Sequence, residues 1–144
     1  MNPLVLDTNI ALDLFVFEDP ATEPLRAALA GGHWIATAAM REELARVLGY
    51  PQIARRLDAQ GRPALQVLDA FDQQDEQEQH QDLRQEHNHR PYTCKDADDQ
   101  KFIDLAAAHR ATLVSKDDAV LCMARRLSRV GVRVCKEWGA GHAP

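Results

Sequence analysis

The first ten residues, MNPLVLDTNI (1–10), decide the fold of this chain. The apolar run Leu4-Val5-Leu6 is followed by three polar residues before a new apolar segment begins at Ile10. Short β-branched and leucine runs that end at a polar turn indicate a buried strand. In an open α/β sheet the residue after such a strand faces the crevice in which ligands bind, so Asp7 is well placed for chemistry. The alternative is that Asp7 only caps the following helix, and this stretch alone does not decide between the two.

Length and composition indicate one ordinary globular domain. The chain has 144 residues, of which 45% are hydrophobic, and this size suits a single core. We expect a single domain over residues 1–138 and a C-terminal tail at 139–144. No apolar run approaches the roughly 18 residues that a membrane span needs, and no basic start followed by a long apolar region opens the chain. We therefore expect a cytoplasmic protein that does not bind membranes.

The charge and the cysteines exclude several classes of protein. A net charge of -5 argues against a strongly basic nucleic-acid binder. If four of the 22 acidic residues are metal ligands, the remainder nearly balances the 17 basic ones, which suits a phosphate-handling enzyme whose cations come from solution. Cys94, Cys122 and Cys135 are odd in number, lie far apart and form no CxxC pair. They predict reduced thiols rather than a disulfide framework or a structural zinc site.

Strand and helix patterns alternate along the chain, which predicts an α/β fold with a mainly parallel central sheet. The predicted strands are 4–6, 33–37, 112–115 and 132–135, with a further short strand at 92–94. The predicted helices are 10–17, 21–30, 38–48, 52–60, 63–71, 99–110 and 119–129, with Thr37 as the cap of the third.

The segment DQQDEQEQHQDLRQEHNHR at 72–90 interrupts this alternation. It holds one apolar residue, Leu83, and cannot bury a face of its own. His80, His87 and His89 suggest a metal site, but no matching cysteines and no i,i+4 histidine pair accompany them. We interpret the segment as a polar, low-complexity, solvated run.

Glu43 is the first candidate acid on a helix. The buried stripe of helix 38–48 contains Met40 and Leu44, and Glu43 lies about 60° from Met40, at the edge of that stripe. A carboxylate there is costly unless it is paired or bound to a metal. Glu43 is thus either a ligand or an ordinary boundary residue that extends into solvent.

Helix 99–110 contributes the second candidate acid. Phe102 and Ile103 define its inward direction, and Asp99 lies within it, whereas Asp98 lies to the side and Asp96 precedes the helix. All three could instead be favourable charges at a helix N-terminus. Position nevertheless distinguishes Asp99 as the acid directed at the interior.

Asp117 repeats the pattern of Asp7, because it follows the apolar strand at 112–115 and precedes a helix. Right-handed crossovers would bring the carboxyl ends of both strands to one edge of the sheet. Two strand-end aspartates can then converge with two inward acids from helices. Carboxylates without histidine or cysteine companions suit a hard cation such as Mg²⁺ or Mn²⁺.

Four motifs in this order resemble the PIN-domain family. They are LVLDTN at 4–9, REEL at 41–44, DDQKFIDLA at 98–106 and LVSKD at 113–117. They most resemble the branch described as toxin components of toxin–antitoxin systems. The resemblance implies a three-layer α/β/α fold, with Asp7, Glu43, Asp99 and Asp117 as the catalytic, metal-binding acids and Asn9 and Ser115 as supporting polar residues.

The activity that the resemblance implies is that of a metal-dependent endoribonuclease. Mg²⁺ or Mn²⁺ would activate water for hydrolysis of RNA phosphodiester bonds, leaving a 5′-phosphate. The resemblance also implies an RNA substrate, an antitoxin protein as a candidate partner, and a homo-oligomer, namely a dimer. Four arginines are available to meet an RNA backbone: Arg41, Arg46, Arg125 and Arg126. The polar run at 72–90 departs from the family pattern, which usually has a helix end and a more apolar connection there. Asp96, Asp98 and Asp118 are further acids beside the third and fourth ligands, so the choice of those two ligands stays open.

Two rival functions come from other classes. A phosphatase of the haloacid dehalogenase type also begins with an aspartate after its first strand, but it needs an acid two residues later, where this chain has Asn9. A PIN-like domain without catalysis could serve as a nucleic-acid-binding scaffold. Such scaffolds typically lose one or more of the acids, whereas this chain keeps all four.

Overall fold

The fold begins with the predicted strand, turn and helix. The computed structural model describes residues 3–31, 34–74, 93–94 and 96–136. Strand β1 (Leu4–Leu6) is fully buried, and helix α1 (Thr8–Phe15) starts directly after Asp7. The remaining helices are α2 (Glu23–Gly31), α3 (Ala38–Leu48), α4 (Pro51–Gln60), α5 (Ala64–Gln74), α6 (Gln100–His109), α7 (Asp118–Leu121) and α8 (Ala124–Ser128), and the remaining strands are β2 (Thr112–Val114) and β3 (Arg133–Cys135).

The strands form a parallel sheet that aligns their carboxyl ends. Within the described residues the sheet has three strands in the order β1-β2-β3. Leu6 of β1 pairs with Val114 of β2, and Val114 pairs in turn with Cys135 of β3. The pairing continues beyond the strands, since Asp7 N–H donates to the carbonyl of Val114 over 3.2 Å. The α/β class and the parallel sheet predicted from the sequence are confirmed, and the ends of β1 and β2 lie side by side.

Helices cover the sheet and enclose one core. Helix α6 packs on β1 and β2, and helices α7 and α8 pack on β3. Helix α3 contacts α1, α4, α5 and α6. The Trp34 ring lies between Phe15, with ring centroids 5.8 Å apart, and Phe71, at 4.8 Å. These aromatic contacts join α1 to α5 through Trp34.

Local signals set the helix boundaries much as the sequence predicted. Thr37 caps α3 by accepting a hydrogen bond from Met40 N–H over 3.3 Å, which satisfies a donor that the first turn leaves free. Helix α4 has Pro51 at its start and ends at Gly61 with φ of 66°, a left-handed conformation that glycine adopts without strain. A turn of 3₁₀-helix, Pro20–Thr22, precedes α2.

Three predicted elements are wrong in form. The strand at 33–37 is reduced, in its described part, to isolated bridge residues at Trp34 and Thr37, of which Trp34 pairs with Leu4, and Thr37 at once caps α3. Of the strand at 92–94, the described residues Thr93 and Cys94 are not in a strand. The helix at 119–129 is split into α7 and α8 at Met123, which has φ of -94° and ψ of 1°. The Met123 N–H donates to the carbonyl of Val120, whereas an α-helix would pair it with the carbonyl of Ala119.

Two other predictions cannot be compared with the structure. The polar segment at 72–90 falls outside the described residues from 75 onward, and so does the tail at 139–144. No helix in the described ranges combines the length and the apolar character needed to cross a membrane.

Candidate active site

The sheet edge presents Asp7 and Ser115 at the ends of neighbouring strands. Asp7 is 2% exposed, and its Oδ1 accepts a hydrogen bond from Ile10 N–H over 2.9 Å. The Ser115 hydroxyl donates to Oδ2 of Asp7 and accepts from the backbone N–H of Asp117 over 3.1 Å. Asp7 is therefore the helix cap that the sequence allowed, and its second oxygen is hydrogen-bonded to Ser115, directly after β2. Ser115 connects the two strand-end aspartates directly.

A cluster of three carboxylates lies beside this edge. One carboxylate oxygen from each of Asp96, Asp99 and Asp117 lies within 4.8 Å of the other two. Two of these acids also close local turns. Asp96 Oδ1 accepts from Asp98 N–H over 2.9 Å, and Asp117 Oδ1 accepts from Ala119 N–H over 2.9 Å. These bonds fix the orientation of each carboxylate.

Asp99 is the most constrained member of the cluster. It is 9% exposed, and its Oδ2 is buried without a hydrogen-bond partner in the structure. Burial, the adjacent Asp117 carboxylate and the charges of Asp96 and Asp7 together raise the pKa of Asp99 to about 7. A buried oxygen without a donor is costly, and a cation bound at this atom would relieve that cost.

Asp7 belongs to the same electrostatic environment. Burial raises the pKa of Asp7, and the Asp117 carboxylate adds to that rise. The hydrogen bonds from Ser115 and Ile10 and the charge of Lys116 act in the opposite direction. Neighbouring carboxylates thus disfavour the ionised forms of Asp7 and Asp99, as expected when like charges share a site.

Glu43 reaches the site from α3 but is held by its own partners. Its Oε2 accepts a hydrogen bond from the Thr8 hydroxyl, and its Oε1 lies 2.5 Å from Lys101 Nζ. Lys101 also donates to the carbonyl oxygen of Asp98 over 2.5 Å. The Glu43 side chain is 12% exposed and that of Lys101 is 23% exposed. Glu43 is therefore a paired, mostly buried carboxylate and does not extend into solvent.

These side chains line one cleft with a volume of about 220 Å³. All four acids predicted from the sequence line it, and so does Asn9. Its described lining residues include six carboxylates and one guanidinium: Asp7, Glu43, Asp96, Asp98, Asp99, Asp117 and Arg46. Such a surface repels a polyanion unless cations compensate its charge.

The sequence predicted some of the residues that line the cleft and missed others. Asp99 is buried and Asp98 is exposed, as the helical phase indicated. Asp96 was an open alternative for a ligand in the sequence, and its spacing of three from Asp99 could have signalled a shared face. Thr8 and Lys101 were also missed. Of the four arginines, Arg46 lines the cleft, whereas Arg41 is bonded to Asp72 over 2.8 Å.

Comparison with known proteins agrees with this geometry. A family model described as PIN domain matches residues 3–119, which is most of the chain. The chain belongs to the PIN-domain family. PIN domains are generally nucleases that bind nucleic acid and typically use divalent metal ions. A search of curated proteins found no match to the chain.

The residues of this PIN domain fit a divalent cation. The three clustered donors are all carboxylates, and oxygen donors are the ligands that hard divalent cations prefer. The unpartnered Oδ2 of Asp99 faces no donor from the protein. None of the three cysteines forms a disulfide, and none belongs to the cluster. The donor set therefore favours a hard cation over a thiolate-bound metal.

Proposed function

We propose that this PIN domain is a metal-dependent endoribonuclease that hydrolyses RNA phosphodiester bonds with Mg²⁺ or Mn²⁺. The observation that carries the proposal is the cluster of Asp96, Asp99 and Asp117 with the buried, unpartnered Oδ2 of Asp99. Three carboxylates so close repel one another, and a bound dication removes that repulsion. The proposal keeps Asp7, Glu43, Asp99 and Asp117 as metal-binding acids, and it adds Asp96.

When bound, the metal would supply an activated water and stabilise the charge that develops on the phosphate. The residues of the chain provide the fixed surroundings. Ser115 holds Asp7 and Asp117 in register through its hydroxyl. Thr8 and Lys101 fix both oxygens of Glu43. Because these contacts are made by the protein itself, the acids need little reorganisation when substrate arrives.

The contacts of each acid indicate its role in the proposed metal site. The cluster acids have oxygens available for direct ligation. Both oxygens of Glu43 accept hydrogen bonds from the protein, and so do both oxygens of Asp7, so these two acids would bind metal through their remaining lone pairs. Asn9 is exposed and lines the same cleft, where its amide can bond substrate or metal-bound water.

The biological setting is a second part of the proposal. The four motifs resemble the toxin branch of the family, so we propose a cytoplasmic toxin that acts on RNA and is neutralised by an antitoxin protein, with the toxin itself a homodimer. Expression of the wild-type chain in a bacterial host should arrest growth, whereas Asp99→Asn should not. Equal growth of both strains would contradict the proposed toxin role without contradicting the proposed nuclease activity.

A divalent-metal titration tests the nuclease directly. RNA cleavage should be absent in EDTA and should rise with Mn²⁺ or Mg²⁺ until it saturates, and the products should carry 5′-phosphates. The same titration separates an enzyme from a scaffold, because a scaffold would bind RNA without cleaving it. Binding without cleavage at any metal concentration would overturn the proposal.

A further inference from the structure

Cys94 and Cys122 direct their thiols at the same backbone atom. The Cys94 Sγ donates to the carbonyl oxygen of Ala119 over 3.5 Å, and the Cys122 Sγ donates to that oxygen over 3.3 Å. The two sulfur atoms are therefore neighbours, although they belong to different segments of the chain. Cys94 precedes the cluster acid Asp96, and Cys122 directly follows α7. Neither thiol has a role in the proposed hydrolysis.

The break between α7 and α8 produces this arrangement. A continuous α-helix would direct the Met123 N–H to the carbonyl of Ala119, but this N–H donates to Val120 instead. The thiols supply donors to the Ala119 carbonyl in its place. The backbone of Cys94 is fixed from α6, because its N–H donates to Oε1 of Gln100 over 2.6 Å. Both sulfur atoms are thus held at one acceptor by contacts within the fold.

The two thiols differ in their access to solvent. Cys122 is exposed, whereas Cys94 is buried, at 6% exposure. Small oxidants attack accessible thiols first, and the sulfenic acid that forms condenses with an adjacent thiol to a disulfide. Cys122 therefore has the position of the thiol that is attacked, and Cys94 has that of the thiol that resolves the sulfenic acid.

We propose that Cys94 and Cys122 are a site of reversible oxidation, at which hydrogen peroxide joins the two thiols in a disulfide and thereby weakens cation binding by the acidic cluster. Peroxide transfers one oxygen atom to the Cys122 sulfur and leaves as water. The Cys94 sulfur then attacks the Cys122 sulfur, the S–O bond breaks, and the oxygen leaves as water with the Cys94 proton. The two thiols lose two electrons, which the peroxide gains. At rest both thiols are reduced.

A disulfide at this place alters the acidic cluster. Its sulfur atoms are about 2 Å apart, closer than unbonded thiols approach, so Cys94 or Cys122 must move. Asp96 follows Cys94 by two residues, and the Ala119 N–H donates to Oδ1 of Asp117 over 2.9 Å. A shift on either side therefore changes how Asp96 and Asp117 face each other. This effect on the cluster rests on the proposed metal-dependent function, whereas the disulfide does not.

Thiol chemistry tests the disulfide without any metal. In EDTA, hydrogen peroxide should consume two of the three thiols, lower the intact mass by two hydrogen atoms and link the tryptic peptides that contain Cys94 and Cys122. Dithiothreitol should reverse all of these changes. Cys94→Ser should stop at the sulfenic acid of Cys122, which dimedone traps. Cys135→Ala is the matched control and should form the disulfide as wild type does.

Electron paramagnetic resonance of free Mn²⁺ measures the effect on the cluster. The oxidised wild-type protein should bind Mn²⁺ at least about tenfold more weakly than the reduced protein, as other changes around metal ligands do. Cys122→Ser, treated with the same peroxide, should keep the affinity of the reduced wild type, which separates the disulfide from oxidation of methionine. A reduced protein that binds no Mn²⁺ would contradict the proposed function, whereas the thiol count would still decide on the disulfide.

Three results would overturn the inference. The first is a thiol count that peroxide leaves unchanged, or a disulfide that involves Cys135 or joins two copies of the chain. The second is an oxidised protein that contains the Cys94–Cys122 disulfide and binds Mn²⁺ as tightly as the reduced protein. The third is an equal loss of Mn²⁺ affinity in peroxide-treated Cys122→Ser.

Discussion

Lys101 Nζ lies 2.5 Å from Oε1 of Glu43 and ties helix α6 to helix α3 at the wall of the acidic cleft. The two residues are 58 positions apart in the sequence. Lys101 also donates to the carbonyl of Asp98, so its ammonium has two fixed acceptors. It compensates part of the negative charge of the cleft without occupying the cluster of Asp96, Asp99 and Asp117.

The first prediction is that Lys101→Met destabilises the metal-free protein. Glu43 would become a mostly buried carboxylate without its cation, and we expect a loss of about 1–3 kcal/mol in the free energy of unfolding. Chemical denaturation in EDTA measures it. Lys116→Met is the matched control. Lys116 of the Lys116–Asp13 pair is 45% exposed, so we expect this variant to lose at most about 1 kcal/mol in the free energy of unfolding. Equal losses in the two variants would refute the special role of Lys101.

The contacts of Lys101 also illustrate what the sequence could not provide. Local patterns predicted β1, the Thr37 cap and the phase of α3, because each depends on neighbours in the chain. The Lys101–Glu43 pair depends on how α3 and α6 pack, and no periodicity encodes it. Asp96 joined the cluster for a related reason, since the 3₁₀ turn Ala97–Asp99 folds it back toward Asp99.

The split of the helix predicted at 119–129 is a similar case. The apolar residues Val120, Met123 and Leu127 have helical spacing and are all buried, so the sequence pattern is that of one helix. The break at Met123 is a tertiary effect, because α7 and α8 each contact β3. Sequence periodicity identifies the face that is buried but not the bend that lets both segments reach the sheet.

The second prediction separates Asp99 from Asp98. Asp99→Asn should abolish metal-dependent RNA cleavage, because it removes a cluster carboxylate. Asp98→Asn should keep most of the activity, since Asp98 is exposed and its structural contacts are made by its backbone. Single-turnover cleavage with saturating Mn²⁺ compares the two variants. If both lose activity alike, the burial of Asp99 is not what matters.

The third prediction concerns Asp7. Asp7→Asn should abolish cleavage and yet leave the metal-free protein as stable as wild type, or more stable by up to roughly 1–2 kcal/mol. An asparagine oxygen can still accept from Ile10 N–H and cap α1, while the burial of a charge beside Asp117 is relieved. Thermal melts in EDTA beside a cleavage assay measure both effects, with exposed Asp58→Asn as control. A large drop in melting temperature with activity retained would make Asp7 a structural cap alone.

The fourth prediction is a pH dependence of the metal-free protein. Because the pKa of Asp99 is raised from 3.8 to about 7 in the folded state, folding favours its protonated form. Its contribution to stability is therefore fully present below about pH 4 and is lost as the pH rises through about 7. Melting temperature in EDTA should fall between about pH 4 and 7, in part through this group, and Asp99→Asn should flatten the fall. An unchanged slope in that variant would contradict the assignment.

The most direct measurement of the central claim is anomalous diffraction from a crystal of the wild-type protein soaked in Mn²⁺. We expect a manganese peak coordinated by carboxylate oxygens of Asp96, Asp99 and Asp117, with Asp7 at the same edge of the sheet. The peak should be absent from Asp99→Asn crystals soaked in the same way. A wild-type crystal with no manganese in the cleft, or with manganese bound only elsewhere on the surface, would contradict the account.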